Sequence, residues 1–157
     1  MSKRNGIKIY EKADFEKMRK AGLLAAECLD FITPYVKPGV STGELDDLCY
    51  KFIIEHNAVP ACLGYHGYPK TVCISTNHVI CHGIPDFEQK LCEGDITNID
   101  VTVIVDGFFG DTSRMYYVGE PKIKAKRLCD VTYECLMRGI DVVKPGAHFG
   151  DIGAVIE

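Results

Sequence analysis

Two aspartates in the segment Asp95–Gly119 have the spacing of a paired-carboxylate site. The segment consists of two extended runs around Asp106-Gly107, a dipeptide typical of a two-residue β-hairpin turn. With this turn, Asp100 lies opposite Ser113, and Asp100 and Asp111 become diagonal neighbours on one face, with Cβ atoms roughly 7 Å apart or less. Carboxylates this close favour a cation between them, and two divalent ions ~3.5–4 Å apart suit the spacing.

Two other interpretations of the hairpin remain open. Its polar face could simply be solvated, as is common in antiparallel sheets. A one-residue slip of the turn would place Asp100 and Asp111 on opposite faces, because side chains alternate along a strand.

Length and composition indicate one soluble domain. The chain has 157 residues, 46% hydrophobic and 25% charged, with a net charge of −4. This balance argues against nucleic acid as a partner. The basic run at 121–127 is best explained as a solvated helix start. There is no apolar core at Met1–Tyr10 for a signal peptide and no run of about 18 apolar residues for a membrane span.

The eight cysteines are scattered without a CxxC pair. We therefore expect a reducing, cytoplasmic location and no disulfide framework. Cys73, Cys81 and His82 are an alternative zinc-ligand set, but their spacing fits no standard finger and a fourth ligand is missing.

Helical periodicity predicts four helices. The first runs from an N-cap at Asp14 to about Val36, and the second begins with the capping box Ser41/Glu44 and fades near Asn57. A third covers about Ile123 to Val142. The fourth begins near Gly150 or Asp151. The apolar positions assigned to the first helix are Phe15, Met18, Leu24 or Ala25, Cys28, Leu29 and Ile32.

The stretch between the second helix and the hairpin is rich in Gly, aromatic residues and His. It contains two strand-like runs, Thr71–Ser75 and Val79–His82. Its glycines at 64, 67 and 83 allow unusual backbone angles or the close approach of a ligand.

An internal repeat spans the two helical regions. Glu27-Cys28-Leu29 recurs as Glu134-Cys135-Leu136, and Val36-Lys37-Pro38-Gly39 recurs as Val143-Lys144-Pro145-Gly146, both at an offset of 107 residues. Two matches at one offset suggest a duplicated helical unit. A chance coincidence is the alternative.

The motifs together resemble the type I methionine aminopeptidases, from Gly6 to the last residue. They are KMRKAGLLAAECL, VKPGVSTGELD, ACLGYHGYPKTVCIS, VICHGIPD, GDITNIDVTVIVDGFFGDTSRMYYVG and the second VKPG. The resemblance implies an α/β (α+β) pita-bread fold, an antiparallel sheet flanked by helices, with the second pseudo-symmetric half incomplete. The chain is then a single, apparently truncated catalytic domain, with 12–119 as the first repeat and 120–157 as the start of the second.

The resemblance also implies roles for individual residues. Asp100 corresponds to a bidentate metal ligand and Asp111 to a bridging carboxylate. His82 corresponds to a histidine that contacts the scissile peptide and stabilises the transition state. The wall of the pocket for the methionine side chain corresponds to Cys62, Tyr65, Tyr68 and Cys73.

The family's reaction removes the initiator methionine from new proteins when the next residue is small, by attack of a metal-activated hydroxide on the peptide carbonyl. It implies two divalent ions (Co, Mn, Fe or Zn), a peptide or nascent-protein N-terminus as substrate, no membrane partner, and a monomeric complete enzyme. Three further metal ligands and a second substrate histidine have no counterpart here, so we expect this chain alone to be inactive.

Two other functions remain open. One is a truncated pita-bread module that only binds a partner. The other is a related hydrolase of the aminopeptidase P or creatinase type. Those enzymes usually carry an extra N-terminal domain, for which a repeat starting near residue 12 leaves no room.

Overall fold

The computed structural model describes residues 3–4 and 6–157. The chain divides into two compact units, residues 1–120 and 121–157. The repeat boundaries given above stay a prediction. The elements of the first unit are β1 (Lys3–Arg4), β2 (Ile7–Lys8), α1 (Lys12–Ile32), α2 (Thr42–Glu55), β3 (Val59–Pro60), β4 (Cys73–Thr76), β5 (Ile96–Val105) and β6 (Phe108–Tyr117), and those of the second are α3 (Ile123–Asp141) and α4 (Phe149–Ile156).

The hairpin formed by β5 and β6 has the predicted register. Val105 pairs with Phe108 and Asp100 with Ser113. The turn residues Asp106 and Gly107 have φ angles of 51° and 80°, as a type I′ turn requires. Such a turn matches the right-handed twist of the strands, so the Asp-Gly dipeptide fixes which residues pair along the whole hairpin.

Strand β5 lies at the centre of a four-stranded antiparallel sheet. On one side it pairs with β6; on the other it pairs with β3 near one end and with β4 near the other. Its β-branched residues suit a central strand. Burial alternates along it: residues 97, 99, 101, 103 and 105 are buried, and the residues between them from 98 to 104 are partly exposed. The sheet therefore has one core face and one face open to a cavity.

Helices α1 and α2 cover the core face. Ala25, Leu29 and Ile32 of α1 and Leu45 of α2 are buried there, with Ile99 of β5. Helix α1 passes directly over β6, because a Cβ at Gly110 would lie 2.1 Å from the Ala21 carbonyl oxygen. The sheet and the two helices thus form one core that holds the polar face of β5 in place.

Both helices have capping boxes, but the first helix begins earlier than predicted. Its N-cap is Glu11, and Asp14, the predicted N-cap, lies at the third helical position, where its carboxylate accepts a hydrogen bond from the Glu11 amide. Phe15 and Met18, assigned to the buried stripe, are exposed. The box Ser41/Glu44 and the end of α2 near residue 55 agree with the prediction.

The run Val79–His82 is not a strand, contrary to the prediction. Asn77, just before the run, and His82, at its end, have φ angles of 54° and 55°, which break an extended conformation. Ile80 is 95% exposed. The run therefore forms a loop that returns to β4 only at Gly83.

In the second unit, α3 and α4 pack against each other: a Cβ at Gly139 would lie 3.5 Å from Ile152. Helix α2 begins at Thr42 and α4 at Phe149, again 107 residues apart. The spacing seen in the sequence repeat thus recurs in the positions of the helices.

Across the described residues, no helix combines the length and the apolar character needed to cross a membrane.

Candidate active site

The two aspartates lie on the cavity-facing side of the hairpin. Asp100 is on β5 with Ser113 opposite, and Asp111 is on β6 with Thr102 opposite. The alternation of side chains along paired strands therefore places both carboxylates on one face as diagonal neighbours. The register excludes the slipped turn that would have separated them.

A cavity of about 830 Å³ opens on this face. It gathers all of the residues to which the sequence resemblance assigns a role, although they come from three parts of the chain. These are Cys62, Tyr65, Tyr68, Cys73, His82, Asp100 and Asp111.

The acidic pair is electrostatically unfavourable without a proton or a cation. Burial raises the pKa of Asp100, and Asp111 raises it further by its charge and by hydrogen bonding, whereas His82 lowers it. The raised pKa means that ionisation of the second carboxyl group costs free energy, because like charges in a partly desolvated site repel. A positive ion between the carboxylates would remove this cost.

The donor set fits hard divalent cations, which prefer carboxylate oxygens. The fit is partial, since the described part of the chain contains no group of three or more His, Cys, Asp or Glu side chains that could hold a metal. This finding also argues against the alternative zinc set Cys73, Cys81 and His82. Two carboxylates by themselves would leave most coordination positions of a metal ion to other donors.

The loop between β3 and β4 forms the wall opposite the acids. Its backbone turns through Gly64, His66 and Gly67, with φ angles of 83°, 47° and 83°. The Tyr68 hydroxyl lies 2.9 Å from the Gly83 carbonyl and 3.1 Å from the Val72 carbonyl. Burial raises the pKa of Tyr68, so the phenol stays a neutral donor that ties the wall to its neighbours.

A second anchor of this wall is Asp46 of α2, which is 4% exposed. Its Oδ1 atom accepts hydrogen bonds from the amides of Thr71 and Val72, at 2.8 and 2.9 Å. Burial raises the pKa of Asp46, and the two amide hydrogen bonds lower it in part. Helix α2 thereby fixes the chain just before Cys73.

His82 enters the cavity from the loop that follows β4. Gly83 holds that loop against β4: its carbonyl accepts from the Ile74 amide at 2.9 Å, and its amide donates to the Ser75 hydroxyl at 3.1 Å. A Cβ at Gly83 would lie 2.1 Å from the Ile74 carbonyl oxygen, so only glycine fits. This close approach fixes the backbone position of the preceding histidine.

Sequence reasoning did not assign a role to several other cavity residues. Thr102 follows Asp100 by two positions on β5, and Phe109 precedes Asp111 by two on β6, so strand alternation alone could have identified both. No local pattern identifies the remainder, because loop conformation decides which side chains face the cavity. They are Ala61, His66, Gly67, Pro69 and Ile84.

The chain belongs to metallopeptidase family M24, whose model matches residues 16–157. It is 62% identical to a methionine aminopeptidase of Rickettsia prowazekii over 151 residues, which cover 96% of this chain and 58% of that protein. It is 60% identical to a methionine aminopeptidase of Escherichia coli over 152 residues, with the same coverage of 96% and 58%.

Solved structures agree with these relationships. The crystal structure of the Rickettsia prowazekii enzyme superposes with a TM-score of 0.93 at 63% identity, covering 96% of this chain and 60% of that one. The methionine aminopeptidase of Thermotoga maritima gives a TM-score of 0.91 at 34% identity, covering 95% and 60%. The predicted pita-bread α/β fold is confirmed. The chain spans about 58% of the length of the curated relatives that it matches.

Proposed function

We propose that this chain provides the acidic pair and the substrate cavity of a metal-dependent methionine aminopeptidase. The reaction is removal of the N-terminal initiator methionine from nascent proteins when the next residue is small. The main support is that one cavity combines Asp100 and Asp111 with a wall of thiol and aromatic side chains. Further support comes from relatives at 60–62% identity that carry this name.

The wall suits a methionine side chain. Cys62 and Cys73 contribute soft thiols, and Tyr65 and Tyr68 contribute ring surface. A thioether packs favourably against aromatic rings, by about 0.3–1.5 kcal/mol per contact. With the methionine side chain against this wall, the peptide bond would lie beside Asp100, where the cavity opens towards the acids.

His82 is proposed to donate a hydrogen bond to the scissile peptide. It shares the cavity with both acids, and the Gly83 anchor fixes its backbone. A donor already held in place stabilises the charge that develops on the carbonyl oxygen without having to reorganise during the reaction.

Asp100 and Asp111 are proposed to hold the divalent ions, Asp100 as a terminal ligand and Asp111 as a bridge. The ions, when bound, would lower the pKa of water and polarise the peptide carbonyl. Which of Co, Mn, Fe or Zn is used is not fixed by two carboxylates, since each accepts oxygen ligands. The free thiols in the cavity suit a reducing, cytoplasmic environment.

A chimera tests the enzyme proposal. It joins these 157 residues to the remaining part of the Rickettsia prowazekii relative, which supplies the sequence that this chain does not match. We expect metal-dependent, chelator-sensitive release of methionine from Met-Ala-Ser, and none from the 157-residue chain alone. A chimera that folds and binds metal but releases no methionine would contradict the proposal.

A non-catalytic binding module is the second candidate function. It is favoured by the lack of a third metal ligand near the acids within the described residues. It predicts that the chimera, despite a complete ligand set, releases no methionine. Both candidates predict a thermal shift below about 1 °C when Mn²⁺ or Co²⁺ is added to the 157-residue chain, because a weakly bound ligand stabilises little.

A further inference from the structure

Two cysteines come together in the cavity although eleven positions separate them in sequence. The Ala61 amide donates to the Thr102 carbonyl at 2.9 Å, and Cys73 pairs with Asp100. Cys62 follows directly on the residue held beside Thr102, and Cys73 lies beside Asp100, so both cysteines lie on the same side of β5. A disulfide between them requires Cα atoms about 4.4–6.8 Å apart.

Their side chains also face each other. Both line the same cavity, and both are free thiols. Burial raises the pKa of the Cys73 thiol, and hydrogen bonds with the Tyr68 hydroxyl and the Cys62 thiol offset part of the rise. The two thiol groups are thus neighbours, Cys62 partly exposed and Cys73 7% exposed.

The other cysteines differ in access or in position. Cys28 and Cys49 are also neighbours, but both are 0% exposed inside the core between α1 and α2. Cys81 is exposed but lies in the loop after β4 rather than beside β5. The cavity pair combines proximity with the partial exposure of Cys62.

We propose that Cys62 and Cys73 form a redox-sensitive dithiol site, which a low-molecular-weight disulfide such as oxidised glutathione converts into an intrachain disulfide. One cysteine attacks the oxidant, forms a mixed disulfide and releases one reduced glutathione. The second cysteine attacks the mixed disulfide and releases the other. The two thiols lose two protons and two electrons, the oxidant is reduced to two thiols, and excess reductant reverses the reaction.

The bridge would change the cavity wall. It would tie the segment after β3 to β4 and close a loop of ten residues, 63–72, which carries Tyr65 and Tyr68. It would also replace two separate thiols with one rigid link. A pocket shaped by those thiols would then be reversibly closed to its ligand under oxidising conditions.

The test treats the native 157-residue chain with oxidised glutathione, alkylates the remaining thiols and maps non-reduced peptides by mass spectrometry. We expect the loss of two of the eight thiols, one bridged pair of peptides containing Cys62 and Cys73, and recovery of both thiols with dithiothreitol. Far-UV circular dichroism before oxidation confirms that the chain is folded.

Three variants provide the controls. Cys62→Ser and Cys73→Ser should each abolish the bridge, whereas Cys81→Ser should leave it unchanged. A stable mixed disulfide with glutathione, or a bridge from Cys73 to Cys81 or from Cys28 to Cys49 in its place, would overturn the proposal. The readout needs neither metal nor peptide substrate, so its failure is distinct from a failure of the proposed enzyme activity.

Discussion

The carboxylate of Asp111 is the side chain whose proposed role is most directly measurable. In the chimera, Asp111→Asn should weaken metal binding by more than the roughly 10–100-fold that loss of an outer-shell partner costs, because it removes a bridging charge. The fold should persist, since Asn keeps the shape of the side chain. Calorimetric titration with Mn²⁺ measures the change.

Asp106→Asn is the matched control. The same substitution in the same hairpin changes an exposed turn residue outside the cavity, and Asn tolerates its left-handed backbone. Metal affinity should therefore stay at the wild-type value. Equal affinities for both variants and the wild type would rule out Asp111 as a bridging ligand.

His82→Ala should separate catalysis from metal binding. Removing one positioned donor typically lowers kcat by about 10²–10³-fold, and the two acids proposed to hold the metal are untouched. Steady-state kinetics of the chimera together with its metal content check both parts. Loss of metal from the variant would show that His82 is a ligand instead.

Asp46 stabilises the cavity wall by accepting hydrogen bonds from two buried amides. Its substitutions should therefore differ sharply in their effect on the free energy of unfolding. Asp46→Ala leaves the amides of Thr71 and Val72 without an acceptor and should cost about 2 kcal/mol or more in the free energy of unfolding. Asp46→Asn retains an acceptor oxygen and should cost much less. Urea denaturation of the two variants measures the difference.

The pH dependence of stability gives a second check on Asp46. Its folded-state pKa is raised above the ordinary value of 3.8, so the folded state binds the proton more tightly than the unfolded chain. The wild-type free energy of unfolding should therefore fall as pH rises from about 3.8 through the folded pKa. Asp46→Asn should lack this fall, and identical pH profiles would contradict the assignment.

Sequence alone could place the acidic pair because the information is local. The Asp-Gly turn fixes the register of the two strands. The alternation of side chains along each strand then fixes the face of the sheet on which both acids lie. The roles of Cys62 and Tyr68 came only through resemblance, since they lie in a loop whose course depends on contacts with Gly83 and Asp46. Such contacts join residues far apart in sequence and leave no periodic signal.

At the level of the elements, the contact between α1 and β6 depends on Gly110. Gly110→Ala places a methyl group 2.1 Å from the Ala21 carbonyl oxygen, so the helix must shift. We expect a loss of about 1–3 kcal/mol in stability, as for other overpacked sites. Thermal denaturation monitored by circular dichroism measures it.

Gly22→Ala tests the same helix without the clash. No atom lies within 4 Å of a Cβ at Gly22, and alanine is better than glycine inside a helix by about 0.5–1 kcal/mol. This variant should therefore be more stable than the wild type. Destabilisation of similar size in both variants would show that the close packing at Gly110 is not the cause.

The elements themselves were predictable to different degrees. The Ser41/Glu44 capping box gave the start of α2 because both partners of the motif lie within one turn. The start of α1 was missed because Glu11 is an uncommon N-cap residue, although Asp14 takes part in the motif. The Val79–His82 run has strand-like residues, but the positive φ angles at Asn77 and His82 override that preference.

For the molecule as a whole, large apolar side chains are exposed on the second unit. Leu128, Val131, Leu136 and Ile140 of α3 are exposed. Within the described residues, β6 pairs with β5 alone, so its outer edge is open. We expect the 157-residue chain to bind the dye ANS more strongly than the chimera, and equal fluorescence would contradict this.

The repeat was visible in sequence only as two short matches, and the starts of α2 and α4 follow the same interval. What the sequence could not supply is the mutual arrangement of distant segments, which depends on packing rather than on pattern. The class of fold was therefore accessible from motifs, whereas the shape of the cavity was not.

Asp100 and Asp111 are close in sequence, and this has a consequence for the order in which the parts of the site come together. A hairpin closes in about 1–10 μs, whereas a ribosome adds roughly 5–20 residues each second. Helices α1 and α2 precede the hairpin in the chain, so the surface on which it packs has already been synthesised. Once the hairpin has emerged from the ribosome, the two acids therefore meet in far less time than the addition of one residue takes.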